Sequence, residues 1–180
     1  MVVIRRTATN ALILIICAAY LAQQLLPDLK LELLLLGRDY LQYSNEWYRL
    51  ITVALTHGGL MHLGFNMYSL YILGTPIEQA YGRNKFLIIF TISLLTGSLA
   101  SVFLNTSNHA SVGASGAVFG LFGAFLIVGK TIGASVREFA IIIGLNFALG
   151  FILGGVDWRA HLGGLLGGAL AAQLILTRRR

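Results

Sequence analysis

The chain predicts an all-α membrane protein, a bundle of six transmembrane helices with a large first outer loop. Three observations carry that reading. Of the 180 residues, 57% are hydrophobic and only 11% charged, where a soluble globular domain carries about 25% charged residues. Mean hydropathy is +0.78. Six apolar stretches, at about 10–26, 57–77, 85–104, 115–129, 139–155 and 160–176, follow one another along the chain, and a spanning helix needs about 20 residues. Finally, there are 21 glycines against two prolines, Pro27 and Pro76. Lipid supplies no hydrophobic drive between helices, so small residues are what let their backbones approach.

The first stretch resembles a signal peptide, with Arg5 and Arg6 ahead of Ala11–Ala22. No small-residue cleavage site follows, and Gln23-Gln24-Leu25-Leu26 extends the run, so a retained helix is expected. Its Cys17 is the single cysteine of the chain, which excludes an intramolecular disulfide and reads as an inert thiol. The segment 28–56 is too charged to span. Leu31, Leu33 to Leu36, Leu41, Trp47 and Leu50 alternate there with Lys30, Glu32, Arg38 and Arg49. It reads as a partly helical loop in the outer interface, with Tyr43, Trp47 and Tyr48 at headgroup level.

The fourth stretch is short. From Ser115 to Gly129 it measures about 22 Å as a helix, against a hydrocarbon core of about 30 Å. With the N-terminus in the cytoplasm, Arg5, Arg6, Arg83, Lys85, Lys130, Arg137 and Arg178 to Arg180 fall inside with two acids, Glu78 and Glu138. Lys30, Arg38, Arg49 and Arg159 fall outside with five acids, Asp28, Glu32, Asp39, Glu46 and Asp157. That asymmetry is the positive-inside pattern, and an even number of spans returns the C-terminus to the cytoplasm. The isoelectric point near 9.8 thus reflects orientation in a bilayer, and no nucleic-acid partner is expected.

Polar groups inside the apolar runs are the candidate chemistry, because an unpaired polar group in hydrocarbon costs several kcal/mol. Ser115 sits in Gly113-Ala114-Ser115-Gly116-Ala117-Val118-Phe119-Gly120. It can be read as a serine capping a helix packed through its glycines, or as a nucleophile at a helix start whose backbone N–H groups suit an oxyanion. It departs from the soluble hydrolase elbow, since Ala117 takes the place of the last glycine. His161, in Ala160-His161-Leu162-Gly163-Gly164, shares a helix face with Gly164 and Gly168, which would let the Ser115 helix come close. A neutral buried imidazole there could take the serine proton.

His62 and Asn66, four apart, share one face and can either clasp another helix or donate to an oxyanion. His57, off that face at the helix start, is expected to order the loop. A zinc site from His57 and His62 is not expected, because the spacing is not His-Glu-x-x-His and no third ligand is evident. His109 has the weakest case for chemistry. Asp157 lies four before His161 but belongs to the outer loop beside Arg159, so a Ser–His dyad is expected in preference to a triad.

Together, Gly113-x-Ser115-Gly116, His62-x-x-x-Asn66 and Ala160-His161-x-x-Gly164-x-x-x-Gly168 resemble the rhomboid intramembrane serine proteases. Trp47 and Arg49, the run from His57 to His62, Gly74 to Glu78, and Gly82-Arg83 extend the resemblance in order over nearly the whole chain. It implies Ser115 as nucleophile and His161 as general base, with His62, Asn66 and the Ser115 backbone N–H in the oxyanion hole. Family members often carry tyrosine four residues after the serine, stacked on the histidine; Phe119 here keeps the ring and loses the hydroxyl. The resemblance further implies that Trp47 and Arg49 belong to a membrane-embedded outer element and that Glu78 makes a helix-packing contact. It implies single-pass transmembrane proteins as substrates within a lipid bilayer, cut near the outer face, with a small residue before the cut and helix breakers after it. No metal or organic cofactor is expected, and the expected address is a prokaryotic cell membrane. The rival classes are a catalytically silent binder of transmembrane helices and a small transporter or channel using the polar residues as a path.

Overall fold

The computed structural model describes residues 7–106, 108–133, 136–153 and 155–176. The arginines expected to mark the cytoplasmic side at the ends of the chain, Arg5, Arg6 and Arg178 to Arg180, lie outside them. The chain is mostly helical. It runs α1 (Ala8–Leu25), α2 (Pro27–Leu33), β1 (Leu35–Leu36), α3 (Arg38–Ser44), α4 (Arg49–Thr52), α5 (Leu60–Tyr81), α6 (Arg83–Leu104), β2 (Ala110–Ser111), α7 (Ser115–Val128), α8 (Val136–Leu153) and α9 (Trp158–Leu176). Among the described residues, α1, α6 and α9 are long and apolar enough to cross a membrane by length and composition, while α7 is apolar but shorter. α5 has the length, with 22 residues, but His62, Asn66, Thr75, Glu78 and Gln79 dilute its apolar character.

α7 is the centre of the molecule. Every residue from Gly116 to Phe125 is buried, as expected for a helix that is apolar on all sides. It packs most closely on α9 and α6, which also pack on each other, and α5 and α8 lie against it. Glycines set these distances. A Cβ on Gly164 or Gly168 would overlap the backbone of Gly116 or Gly120 across the α7–α9 crossing, and one on Gly97 of α6 would come 2.9 Å from the Ala160 carbonyl. Outward, Leu14, Ile15, Leu21, Phe65, Ile88, Leu166 and Leu170 are exposed. An exterior this apolar suits hydrocarbon surroundings.

Two buried polar devices hold the periphery. The Glu78 carboxylate accepts from the backbone N–H groups of Ala8 and Thr9 at 2.7 and 2.8 Å and from the Thr9 hydroxyl at 2.7 Å. A carboxylate at the first turn of α1 satisfies donors that the helix itself leaves free and meets the positive end of its dipole. In the segment between α1 and α5, Arg49 is buried. Its guanidinium donates to the carbonyls of Leu31 and Leu34 at 2.7 and 2.9 Å and to Glu46 at 2.6 Å. That segment is then joined to the middle of the molecule. β1 pairs antiparallel with β2, Leu35 opposite Ser111; Ser98 of α6 donates to the Leu50 carbonyl at 2.8 Å; and the Gly113 N–H donates to the Val53 carbonyl at 3.1 Å.

Candidate active site

Ser115 is the first residue of α7 and His161 the fourth of α9. The close α7–α9 crossing brings them together, with His161 Nε2 2.9 Å from Ser115 Oγ. His161 is buried, and its Nδ1 has no hydrogen-bond partner among the described residues. For Nε2 to accept the serine proton, Nδ1 must carry the ring hydrogen. Phe119, one turn after Ser115, stacks on the imidazole with ring centroids 3.9 Å apart and planes 10° apart. Phe147 of α8 stands beside that stack, 5.5 Å from Phe119 and 6.4 Å from His161, nearly edge-on to both. A small cleft beside Ser115 is lined by Leu35, Val53, Ser98, Gly113 and Ala160 among others.

His62 reaches the same place from α5. Its Nδ1 accepts from the Gly58 N–H at 3.2 Å, which leaves Nε2 as the ring's donor. The ring lies against Gly113, two residues before Ser115: a Cβ there would stand 2.8 Å from His62 Cε1 and 3.0 Å from Nε2. Gly113 also has φ +112°, a conformation suited to glycine. Asn66 sits one turn on and is buried. Its amide donates to the His62 carbonyl at 2.9 Å, a bond within its own helix and not to Ser115. His57 lies before α5, buried, with its ring edge-on to His62 at 5.1 Å. Trp47 and Arg49 do not join this group; they organise the segment between α1 and α5. Gly116, Gly164 and Gly168 serve the helix crossing itself.

Sequence reasoning passed over several contributors. Gly97 allows α6 to approach both Gly116 and Ala160, and Phe147 flanks His161. The larger omission is a polar cluster around Asp157, just ahead of α9. One carboxylate oxygen accepts from the Ala160 N–H at 3.1 Å and from Asn105 at 3.0 Å. The other accepts from the Ser101 hydroxyl and lies 3.2 Å from His109 Nε2. Burial works to raise the Asp157 pKa, but the hydrogen bonds from Ser101, Asn105, Ala160 and Ser111 outweigh it and hold the group below the ordinary carboxylate range. The sequence signal available was an aspartate three residues ahead of a backbone N–H in a helix's first turn, which is a helix cap. Its other partners are distant in sequence.

Residues 44–178 match the family model described as Rhomboid domain. The chain is 41% identical over 140 residues to Rhomboid protease GluP of Bacillus subtilis, covering 73% of this chain and 27% of that protein. It is 34% identical over 142 residues to Putative rhomboid protease YdcA of the same bacterium, covering 76% of this chain and 71% of that protein. It is 40% identical over 143 residues to RHOMBOID-like protein 6, mitochondrial, of Arabidopsis thaliana, covering 75% of this chain and 46% of that protein. The chain thus spans about a quarter of the first relative's length and less than half of the third's. One relative is named as mitochondrial, so similarity alone does not assign the host membrane.

Proposed function

The chain belongs to the rhomboid family, and from that premise we propose that it is an intramembrane serine endopeptidase acting through Ser115 and His161. The observation that carries the proposal is the 2.9 Å approach of His161 Nε2 to Ser115 Oγ in the crossing of two apolar helices. A transmembrane segment of a single-pass protein enters the bundle from the bilayer and unwinds beside Ser115. His161 takes the Ser115 proton as Oγ attacks the peptide carbonyl. The developing oxyanion meets the Ser115 backbone N–H, His62 Nε2–H and the Asn66 amide. The Gly58-to-His62 bond supports this role for His62, because it turns the ring's donor towards Gly113 and Ser115. His161 then gives its proton to the leaving amine, and water admitted from the outer face resolves the acyl-enzyme.

Phe119 stacks on the imidazole and Phe147 stands edge-on beside the stack, which suits a base whose Nδ1 has no carboxylate partner among the described residues. In this reading α1, α5, α6, α7, α8 and α9 cross the bilayer, the segment 26–59 lies at the outer face, both termini are cytoplasmic, and the cut falls near the outer face of a prokaryotic cell membrane. The test is cleavage of a model single-pass substrate by purified protein in liposomes, wild type beside Ser115→Ala and His161→Ala. Cleavage by wild type should fall by at least about a thousandfold in both variants, the scale of loss when a nucleophile or its base is removed. Variants that cut as well as wild type would remove the dyad. A wild type that binds transmembrane helices and never cuts them would make the protein a binder of the same fold.

A further inference from the structure

We propose that Asp157 is a positioning residue: a buried carboxylate that ties the His161 end of α9 to the Ser115 end of α7 and so sets the geometry between them. The inference rests on the reading of Ser115 and His161 as the reacting pair. It begins from a mismatch between what Asp157 has and what its place in the fold requires. A helix cap needs one acceptor oxygen, and serine or asparagine serves as well as aspartate. Asp157 instead has a nearly buried carboxylate, with a side chain 9% exposed, and taking such a charge out of water is costly unless several donors meet it.

The donors come from three different segments. Ser101 and Asn105 stand at the end of α6. His109 and Ser111 belong to the connection that runs into Ser115. Ala160 is in the first turn of α9. Arg159 adds a second tie, donating to Asn105 Oδ1 at 2.9 Å while its guanidinium lies 4.5 Å over the Trp158 ring. Both reacting residues are one short step from this node. His161 follows Asp157 by one helical turn, its N–H bonded to the Asp157 carbonyl at 3.2 Å. Ser115 follows Ser111 by four residues, and Ser111 is itself held in the β1–β2 pair.

Asp157 does not act as a triad acid, since His161 Nδ1 has no hydrogen-bond partner among the described residues. It acts by geometry. A displacement of about 1 Å between reacting groups can cost about a hundredfold in rate. The neighbouring tight crossings do not make the same connection. Gly164 against Gly116 fixes the separation of α7 and α9, but the chain leading to Ser115 is joined to the start of α9 through the Asp157 carboxylate.

The test separates capping from tying. Asp157→Ser keeps an acceptor for the Ala160 N–H and cannot reach Ser101, Asn105 and His109 together. In liposomes, kcat for a model single-pass substrate should fall at least about tenfold with KM within twofold of wild type, and labelling of Ser115 by a fluorophosphonate should slow in parallel. Asn105→Ala leaves both carboxylate and cap in place and removes the bonds that Asn105 makes to Asp157 and to Arg159. It should lower kcat several-fold in the same pattern, and it carries the test if Asp157→Ser does not fold. Wild-type kcat in both variants, with only a lower melting temperature, reduces Asp157 to a cap and overturns the proposal. A change confined to KM also overturns it. A wild type inert to both fluorophosphonate and substrate removes the Ser115–His161 reading itself, and this inference with it.

Discussion

Gly113 shows how one residue can join two requirements that neither neighbour could meet. Its φ of +112° turns the chain into α7, and its missing side chain makes room for the His62 ring. Gly113→Ala should therefore meet two penalties together: a backbone conformation that side chains rarely adopt, and a contact 2.8 Å from His62 Cε1. We expect a loss of about 1–3 kcal/mol in stability and at least a tenfold loss of cleavage, read by denaturation in detergent micelles and by the liposome assay. Wild-type behaviour in both would mean that this backbone position is more adaptable than its geometry indicates. At this scale Ser115, His62, Asn66 and His161 were legible because each is a polar group in an apolar run. Phe147 and Gly97 were not, since an aromatic or a glycine in such a run is ordinary until its neighbour is known. Asp157 was legible as a residue and its hydrogen-bonded cluster was not, because its partners Ser101 and Asn105 lie more than fifty residues earlier.

The decisive feature among the elements is the α7–α9 crossing, in which small residues face each other along both helices. Gly164→Ala places a Cβ into the Gly116 backbone, and a backbone has no rotamer with which to yield. The helices must separate, at a cost of about 1–3 kcal/mol as for other overpacked cores. The dyad distance must lengthen with them. Fluorophosphonate labelling of Ser115 should be nearly abolished in Gly164→Ala. Gly64→Ala, on an open face of α5 where nothing lies within 4 Å, should keep wild-type labelling and gain slightly in stability from helix propensity. Equal labelling in the two variants would separate the crossing from the chemistry. The glycine spacing on α9 pointed to a close helix partner, and Ser115's own glycines made α7 the natural choice. The contribution of α6 was passed over, although Ser93, Gly97 and Ser101 recur every four residues on its buried face. Glu78 is similar: the family resemblance implied a helix-packing contact, but its partners Ala8 and Thr9 are about seventy residues away.

For the molecule as a whole, orientation is the property with the most direct test. Basic residues gather on one predicted side and acids on the other, and the positive side faces the cytoplasm in multi-spanning proteins. Single cysteines introduced at the exposed positions Gln42 and Thr131, in a Cys17→Ala background, would report it. A membrane-impermeant maleimide applied to intact cells should label position 42 and not position 131 until the cells are opened. The reverse pattern would invert the orientation, and labelling of both would break the count of spans between them. Family membership, established over residues 44–178, agrees with the resemblance drawn from the ordered motifs. An integral membrane setting follows from that membership and from the apolar exterior.

By itself, the sequence determined the class of the protein. Composition, apolar run length and charge placement are properties of short windows, and the bilayer as solvent permits few structures to a chain so apolar. The ordered motifs then carried the resemblance to a family. What only the tertiary structure decided is which residues meet. Ser115 and His161 are 46 residues apart, and their 2.9 Å contact depends on the closeness of two helices, which the missing side chains of Gly116, Gly120, Gly164 and Gly168 permit. The same holds for the Asp157 node, whose donors come from segments that become neighbours only when α6, α7 and α9 pack. A one-dimensional pattern records which faces are small or polar; packing in three dimensions selects the face opposite.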